Sequence, residues 1–137
     1  MVAWGRNTYG QCDVPPGGDF VAVAAGDGHS LALKSDRSLV AWGYGECEVP
    51  KGNDFVAITA YGPYRIALRS NGSLVGWGQH KDDRCDVPKG KGFVAVAAGE
   101  TSALGLKSDG SLIQWDYKGN YLRDKPPIGN DFVAIAA

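Results

Sequence analysis

The side chains able to hold a metal, carry a proton or attack a carbonyl are sparse in this sequence, and their spacing argues against such chemistry. His29 and His80 are the two histidines, and neither falls in a His/Cys pattern with the spacing of a zinc site. Cys12, Cys47 and Cys85 are an odd number, 35 and 38 residues apart. That is neither a disulfide framework nor a metal cluster, so they read as free thiols in packing roles. The Asp82-Asp83 pair stands between Lys81 and Arg84 and reads as a solvated loop rather than an acid-base pair. Gly-x-Ser-x-Gly, phosphate-loop and His-Glu-x-x-His motifs do not occur. The expectation is a protein with no catalytic residue, no cofactor and no bound metal. A glycan or small-ligand site at the centre of a ring, or an enzyme using Glu100, His29 or His80, is a distant alternative.

Charge and hydropathy narrow the classes further. Fourteen Lys plus Arg against fifteen Asp plus Glu leave a formal charge of -1, so no basic field exists to bind a phosphate backbone. Apolar runs such as Phe20 to Ala25 are far shorter than the roughly 20 residues of a membrane-spanning helix. Neither nucleic acid nor membrane is expected as a partner. Met1 to Arg6 does not read as a secretory signal. Free thiols are compatible with the cytoplasm, but the sequence does not specify a compartment.

What the sequence does carry is a repeat. Trp4, Trp42, Trp77 and Trp115 are separated by 38, 35 and 38 residues, and Phe20, Phe55, Phe93 and Phe132 by 35, 38 and 39. The step from Phe to the next Trp is always 22 residues, whereas the step from Trp to the next Phe is 16, 13, 16 and 17. One half of the unit is therefore a scaffold and the other half a variable loop. Within the scaffold, Val21 and Val23, Leu31 and Leu33, and Val40 and Trp42 alternate with other side chains, the period of a β-strand. Three short strands per unit follow. Asp36-Arg37, Asn71-Gly72 and Asp109-Gly110 separate the second strand from the third, where a tight turn needs positive φ. Arg37 is the exception to the Gly and would carry about 1 kcal/mol of strain there.

No 3.6-residue apolar period persists, so the class is all-β. Units of this size fit blades of a β-propeller, with Ala- and Gly-rich inner strands near the axis. The single repeat domain, 1–137, divides into complete units at 20–54, 55–92 and 93–131. A partial unit over 1–19 supplies a third strand and its loop, and 132–137 supplies a first strand. Propellers close with at least about four blades, so an arc of three is expected either to be completed to a ring by another chain, a dimer first, or to belong to a longer protein. The closing strands would be Val2, Ala3 and Trp4 of one chain, pairing with Phe132, Val133 and Ile135 of another. The four Trp residues are expected to fill space between blades.

The strings Val2-Ala-Trp-Gly-Arg-Asn-Thr-Tyr-Gly-Gln-Cys-Asp-Val-Pro15, Phe20-Val-Ala-Val-Ala-Ala-Gly26 and His29-Ser-Leu-Ala-Leu-Lys34 resemble the repeat of the regulator-of-chromosome-condensation family. The resemblance covers essentially the whole chain. Within the family it is similar to the bacterial branch with lean, three-stranded blades, which includes the propeller-type β-lactamase inhibitors. It implies a propeller, typically of seven blades. It leaves function open, because related rings serve as nucleotide-exchange factors, light sensors and enzyme inhibitors. Every Trp here occupies the repeat-defining position, which disfavours light sensing, and the acidic loops of exchange factors find no match.

Strand direction places the loop after the first strand and the loop after Trp-Gly on one face. Diversity gathers there: Arg6, Asn7 and Tyr9; Tyr44; His80; Tyr117 and Tyr121 in the second loops, and His29, Tyr64 and Glu100 in the first. Rigid aromatic side chains on loops suit protein recognition, and in the inhibitor-like members this is the face that grips the partner. The expected function is thus a non-enzymatic binding module that self-assembles and recognises a protein with these residues. The alternative is a structural module whose sole partner is another copy of itself.

Overall fold

A computed structural model describes residues 1–45, 47–78, 85–122 and 134–136. His80, Phe132 and Val133 lie outside them. The described residues form three antiparallel three-stranded sheets, each in sequence order. The first contains β1 (Phe20–Ala25), β2 (His29–Lys34) and β3 (Leu39–Gly43); the second contains β4 (Phe55–Tyr61), β5 (Tyr64–Arg69) and β6 (Leu74–Gly78). The third contains β7 (Phe93–Ala98), β8 (Ser102–Lys107) and β9 (Leu112–Asp116). All nine strands fall where the period-two pattern predicts them, and among the described residues there is no helix. A bulge follows Phe20, Phe55 and Phe93, so the next Val in each blade turns outward and stays exposed.

The turn between second and third strands differs from the expectation in one respect. Only its last residue takes positive φ, Arg37 at 65°, Gly72 at 80° and Gly110 at 81°. Asp36, Asn71 and Asp109 remain in ordinary backbone and use their side chains instead. Each Oδ1 accepts the backbone N–H and the hydroxyl of the Ser two residues on, at 2.6–3.0 Å. Asp and Asn thus earn their place by capping the turn. The turn also joins blades, because Phe55 N–H donates to the Arg37 carbonyl and Phe93 N–H to that of Gly72. Arg37 is exposed, and Gly at this φ relieves left-handed strain. Arg37→Gly is expected to stabilise the fold by about 0.5–1 kcal/mol, read as a higher urea midpoint at unchanged slope.

Blades pack in a fixed sense. Leu31, Leu33 and Leu39 of the first blade form a cluster with Phe55 and Ala67 of the second. Ile66, Leu68 and Leu74 of the second do the same with Phe93, Ala103 and Trp115 of the third. Each blade therefore offers an aliphatic triplet forward and a Phe backward, and Phe55 and Phe93 are 0% and 3% exposed. Phe20, with no complete blade behind it, is only half-buried.

The same asymmetry separates the tryptophans. Trp115 is fully buried and Trp42 and Trp77 are half-buried, but Trp4 is 86% exposed and fills no inter-blade space. Residues 2–4 form no strand, nor do 134–136. In all three sheets the first strand bonds to the middle strand and never to the third; Phe132 and Val133 of the expected closing pair lie outside the described residues. The cysteines are free thiols. Cys85 is buried in the second cluster, and burial pushes its thiol up to about 12.

Candidate loop-face binding site

Strand register puts the predicted loops on one side. Ala25 stands opposite Ser30 and His29 opposite Gly43, Tyr61 opposite Tyr64 and Tyr64 opposite Gly78, and Ser102 opposite Asp116. First-strand ends, middle-strand starts and third-strand ends therefore share a face.

The first loop of the chain is held by its own side chains. Asn7 accepts from Cys12 N–H at 2.7 Å and donates to Asp13 at 2.8 Å, and Gln11 Oε1 accepts Tyr9 N–H at 2.9 Å. Asn7 is spent inside its loop and acts as a positioning residue. Arg6 Nε donates to Thr8 at 3.1 Å, which leaves much of its exposed guanidinium to solvent. The Gln11 carbonyl accepts from Ser30 Oγ and Trp42 Nε1, both at 2.9 Å, docking the loop onto the first blade.

That docking brings Tyr9 against Tyr44, ring centroids 4.6 Å apart at 45°. The rings stand over Gly28, where an added Cβ would lie 3.3 Å from both side chains. Tyr44 N–H donates to the Gly28 carbonyl at 2.8 Å. Both rings remain about half exposed, at 49% and 47%. This is an ordered aromatic surface from loops 35 residues apart in sequence. Glu100 and Tyr121 are exposed as well, Tyr121 beside Trp115 through an isolated β-bridge.

Two predicted contact residues are not available to a partner. Tyr117 is 5% exposed and belongs to the core, stacked on Tyr64 at 3.9 Å with its hydroxyl donating to the Gly99 carbonyl. Burial pushes its hydroxyl up to about 12, with Cys85, Tyr64 and Tyr61 adding to the shift. Tyr64 is half-buried by the same stack. His29 is 1% exposed, its ring so close to Gly26 that a Cβ there would meet it at 2.2 Å. Burial first, and the Arg65 charge second, lower its pKa to about 4, so it is a neutral core residue at pH 7.

One residue of this end escaped the sequence reading. Arg65 is 0% exposed and its Nη1 donates to the Gly78 carbonyl at 3.3 Å. It occupies the repeat position of Ser30 and Ala103, and a guanidinium in a column of small residues was the available signal. Tyr61 is 40% exposed and stands where the other units have Gly26 and Gly99, which lets β4 run one residue longer.

Comparison with known proteins supports the repeat reading. Residues 20–48 match the model of the Regulator of chromosome condensation (RCC1) repeat, and the pattern recurs from Phe55 and Phe93. No curated protein sequence matches the chain. Among solved structures, the ectodomain of the Physcomitrella patens receptor kinase CR4 is similar at 27% identity and a TM-score of 0.75, over 97% of this chain and 40% of that one. The CRINKLY WD40 ectodomain of the Arabidopsis thaliana receptor kinase ACR4 matches at 22% and 0.70, over 86% and 44%. Prp20p of Saccharomyces cerevisiae, a protein with binding properties to Gsp1p and histones, matches at 20% and 0.62, over 82% and 40%. These show a propeller-type fold. The chain spans about two fifths of the length of the structures it matches.

Proposed function

We propose that this chain, an arc of RCC1-type repeats, is a non-enzymatic protein-binding module that recognises its partner with the upper loops and associates with another copy through its end blades. The observation that carries the reading is the Tyr9–Tyr44 pair, half exposed and locked by backbone contacts to Gly28 and by the Asn7 network. Preordered Tyr rings offer large contact area at little conformational cost. Arg6, Tyr121 and Glu100 extend this surface. The resemblance to bacterial β-lactamase inhibitors makes the rim of an enzyme's active site one candidate target. That Prp20p binds proteins agrees with the class of function, not with any particular partner.

Captured proteins identified with the intact chain are expected to bind at least tenfold more weakly to a Tyr9→Ala, Tyr44→Ala variant, since central aromatic contacts are each worth about 2 kcal/mol. Unchanged affinity in a variant of normal urea stability overturns the loop-face reading. Self-association is checked by sedimentation across a dilution series. A 14.5 kDa species at every concentration rejects it and leaves partner recognition to a single arc.

A further inference from the structure

Of the turns between second and third strands, the one at Asn71-Gly72 carries a reactivity that its repeats lack. Asp36-Arg37 and Asp109-Gly110 begin with a carboxylate, a poor electrophile because of its charge. Asn71 carries a primary amide, which loses ammonia when the following backbone nitrogen attacks its Cγ. Glycine in second place leaves that nitrogen unshielded. The other asparagines, Asn7, Asn53, Asn120 and Asn130, precede Thr, Asp, Tyr and Asp, whose side chains hinder the attack. Asn71 is also exposed, at the end of the strands remote from the tyrosine face.

The folded turn restrains this reaction. Gly72 N–H donates to the Arg69 carbonyl at 2.9 Å, and Asn71 Oδ1 accepts the Ser73 N–H at 3.0 Å and the Ser73 hydroxyl at 2.7 Å. Nucleophile and electrophile are held by separate partners, so the turn must open before they meet. The glycine itself is fixed by packing. Its φ is 80°, and an added Cβ would stand 2.7 Å from the Gly92 backbone nitrogen, so no larger residue can shield the bond. The Gly72 carbonyl in turn accepts Phe93 N–H at 3.0 Å, which joins the second blade to the third.

We infer that Asn71 is a site of spontaneous deamidation, gated by opening of this turn, whose two products act oppositely on the joint between the second and third blades. The Gly72 nitrogen bonds to Asn71 Cγ and gives up its proton, and the amide nitrogen leaves as ammonia, closing a succinimide ring. Water then opens the ring. Opening at the side-chain carbonyl gives aspartate; opening at the backbone carbonyl gives isoaspartate, which routes the main chain through the side chain and lengthens it by one methylene. Aspartate suits the turn. Asp36 and Asp109 make the same bonds to Ser38 and Ser111 at 2.6–2.9 Å, and those bonds hold both carboxyls below the usual value. Isoaspartate does not suit it, because the added methylene moves the carboxylate off Ser73 and Gly72 away from Arg69 and Phe93.

The test incubates the intact chain at mildly alkaline pH, native and in guanidinium chloride. Trypsin then releases residues 70–81, in which mass spectrometry reads the change from amide to acid and chromatography separates the two products. In the unfolded chain Asn71 is expected to convert before any other asparagine. The native chain converts there about tenfold more slowly or less, because a turn closed by three hydrogen bonds must open first. Asn71→Asp is expected to match or exceed the urea midpoint of the intact chain. The purified isoaspartate form unfolds at a lower midpoint and exchanges the Phe93 N–H faster. Earlier conversion at another asparagine, no conversion in the native chain, or equal rates in folded and unfolded chains overturns the proposal. So does a lowered midpoint for Asn71→Asp, or an isoaspartate form as stable as the intact chain.

Discussion

Phe55→Ala costs about 3–5 kcal/mol, whereas the same truncation of Phe20, its repeat equivalent, costs about 1–2 kcal/mol. Phe55 is fully enclosed between Leu31, Leu33 and Leu39 of one blade and Ala67 of the next. Its removal leaves a void that strands tied by backbone bonds on both sides cannot collapse to fill. Phe20 has the same neighbours in its own blade but no aliphatic triplet behind it, and solvent already reaches its ring. Urea unfolding of the two variants, at a concentration where the chain is monomeric, measures the difference. Equal losses would mean that β1 is as well covered as β4, contrary to an arc open at its first blade.

Acid destabilises the fold through His29. The native imidazole has a pKa of about 4 against the ordinary 6.5, chiefly because it is buried and secondly because Arg65 is near. Between these values the unfolded chain holds a proton that the native chain refuses, so unfolding takes up protons and stability falls as pH drops from 6.5 to 4. Below 4 both states are protonated and the His29 contribution levels off. Two to three pH units of mismatch correspond to about 3 kcal/mol. Asp36, Asp54, Asp109 and Asp116 are all held below the usual carboxylate value, by bonds to Ser38, Arg69, Ser111 and Asn120. They lose their contribution at lower pH, outside most of this window. Unfolding free energy measured at pH 7.5, 6.0 and 4.5 is expected to fall steadily in the intact chain and much less in His29→Gln. Parallel curves for the two proteins would sink the assignment.

The scaffold of this protein is written in local terms. Alternation of Val, Leu and Ala with smaller residues specifies strands, and the constant Phe-to-Trp step specifies how many. Asp and Asn before Arg37, Gly72 and Gly110 specify the turns, even though the reason proved to be side-chain capping. The loop face was also legible, because antiparallel order alone decides which loops emerge together.

Exposure was not legible, and exposure decides which residues can bind. Tyr9 and Tyr117 look alike in sequence, each in a variable loop after a Trp. Tyr9 meets Tyr44 over a glycine and stays open, while Tyr117 finds the space beside Cys85 and Tyr64 and closes it. His29, the most reactive-looking side chain of the first loop, is buried with its ring closed against Gly26. The four tryptophans share one motif, yet their burial runs from complete at Trp115 to almost none at Trp4. Period and turn chemistry act within a few residues of the chain, so the sequence alone determined the strands, their number and their order. Whether a ring is covered depends on the blade packed behind it, a contact between units some 35 residues apart that the tertiary structure alone decided.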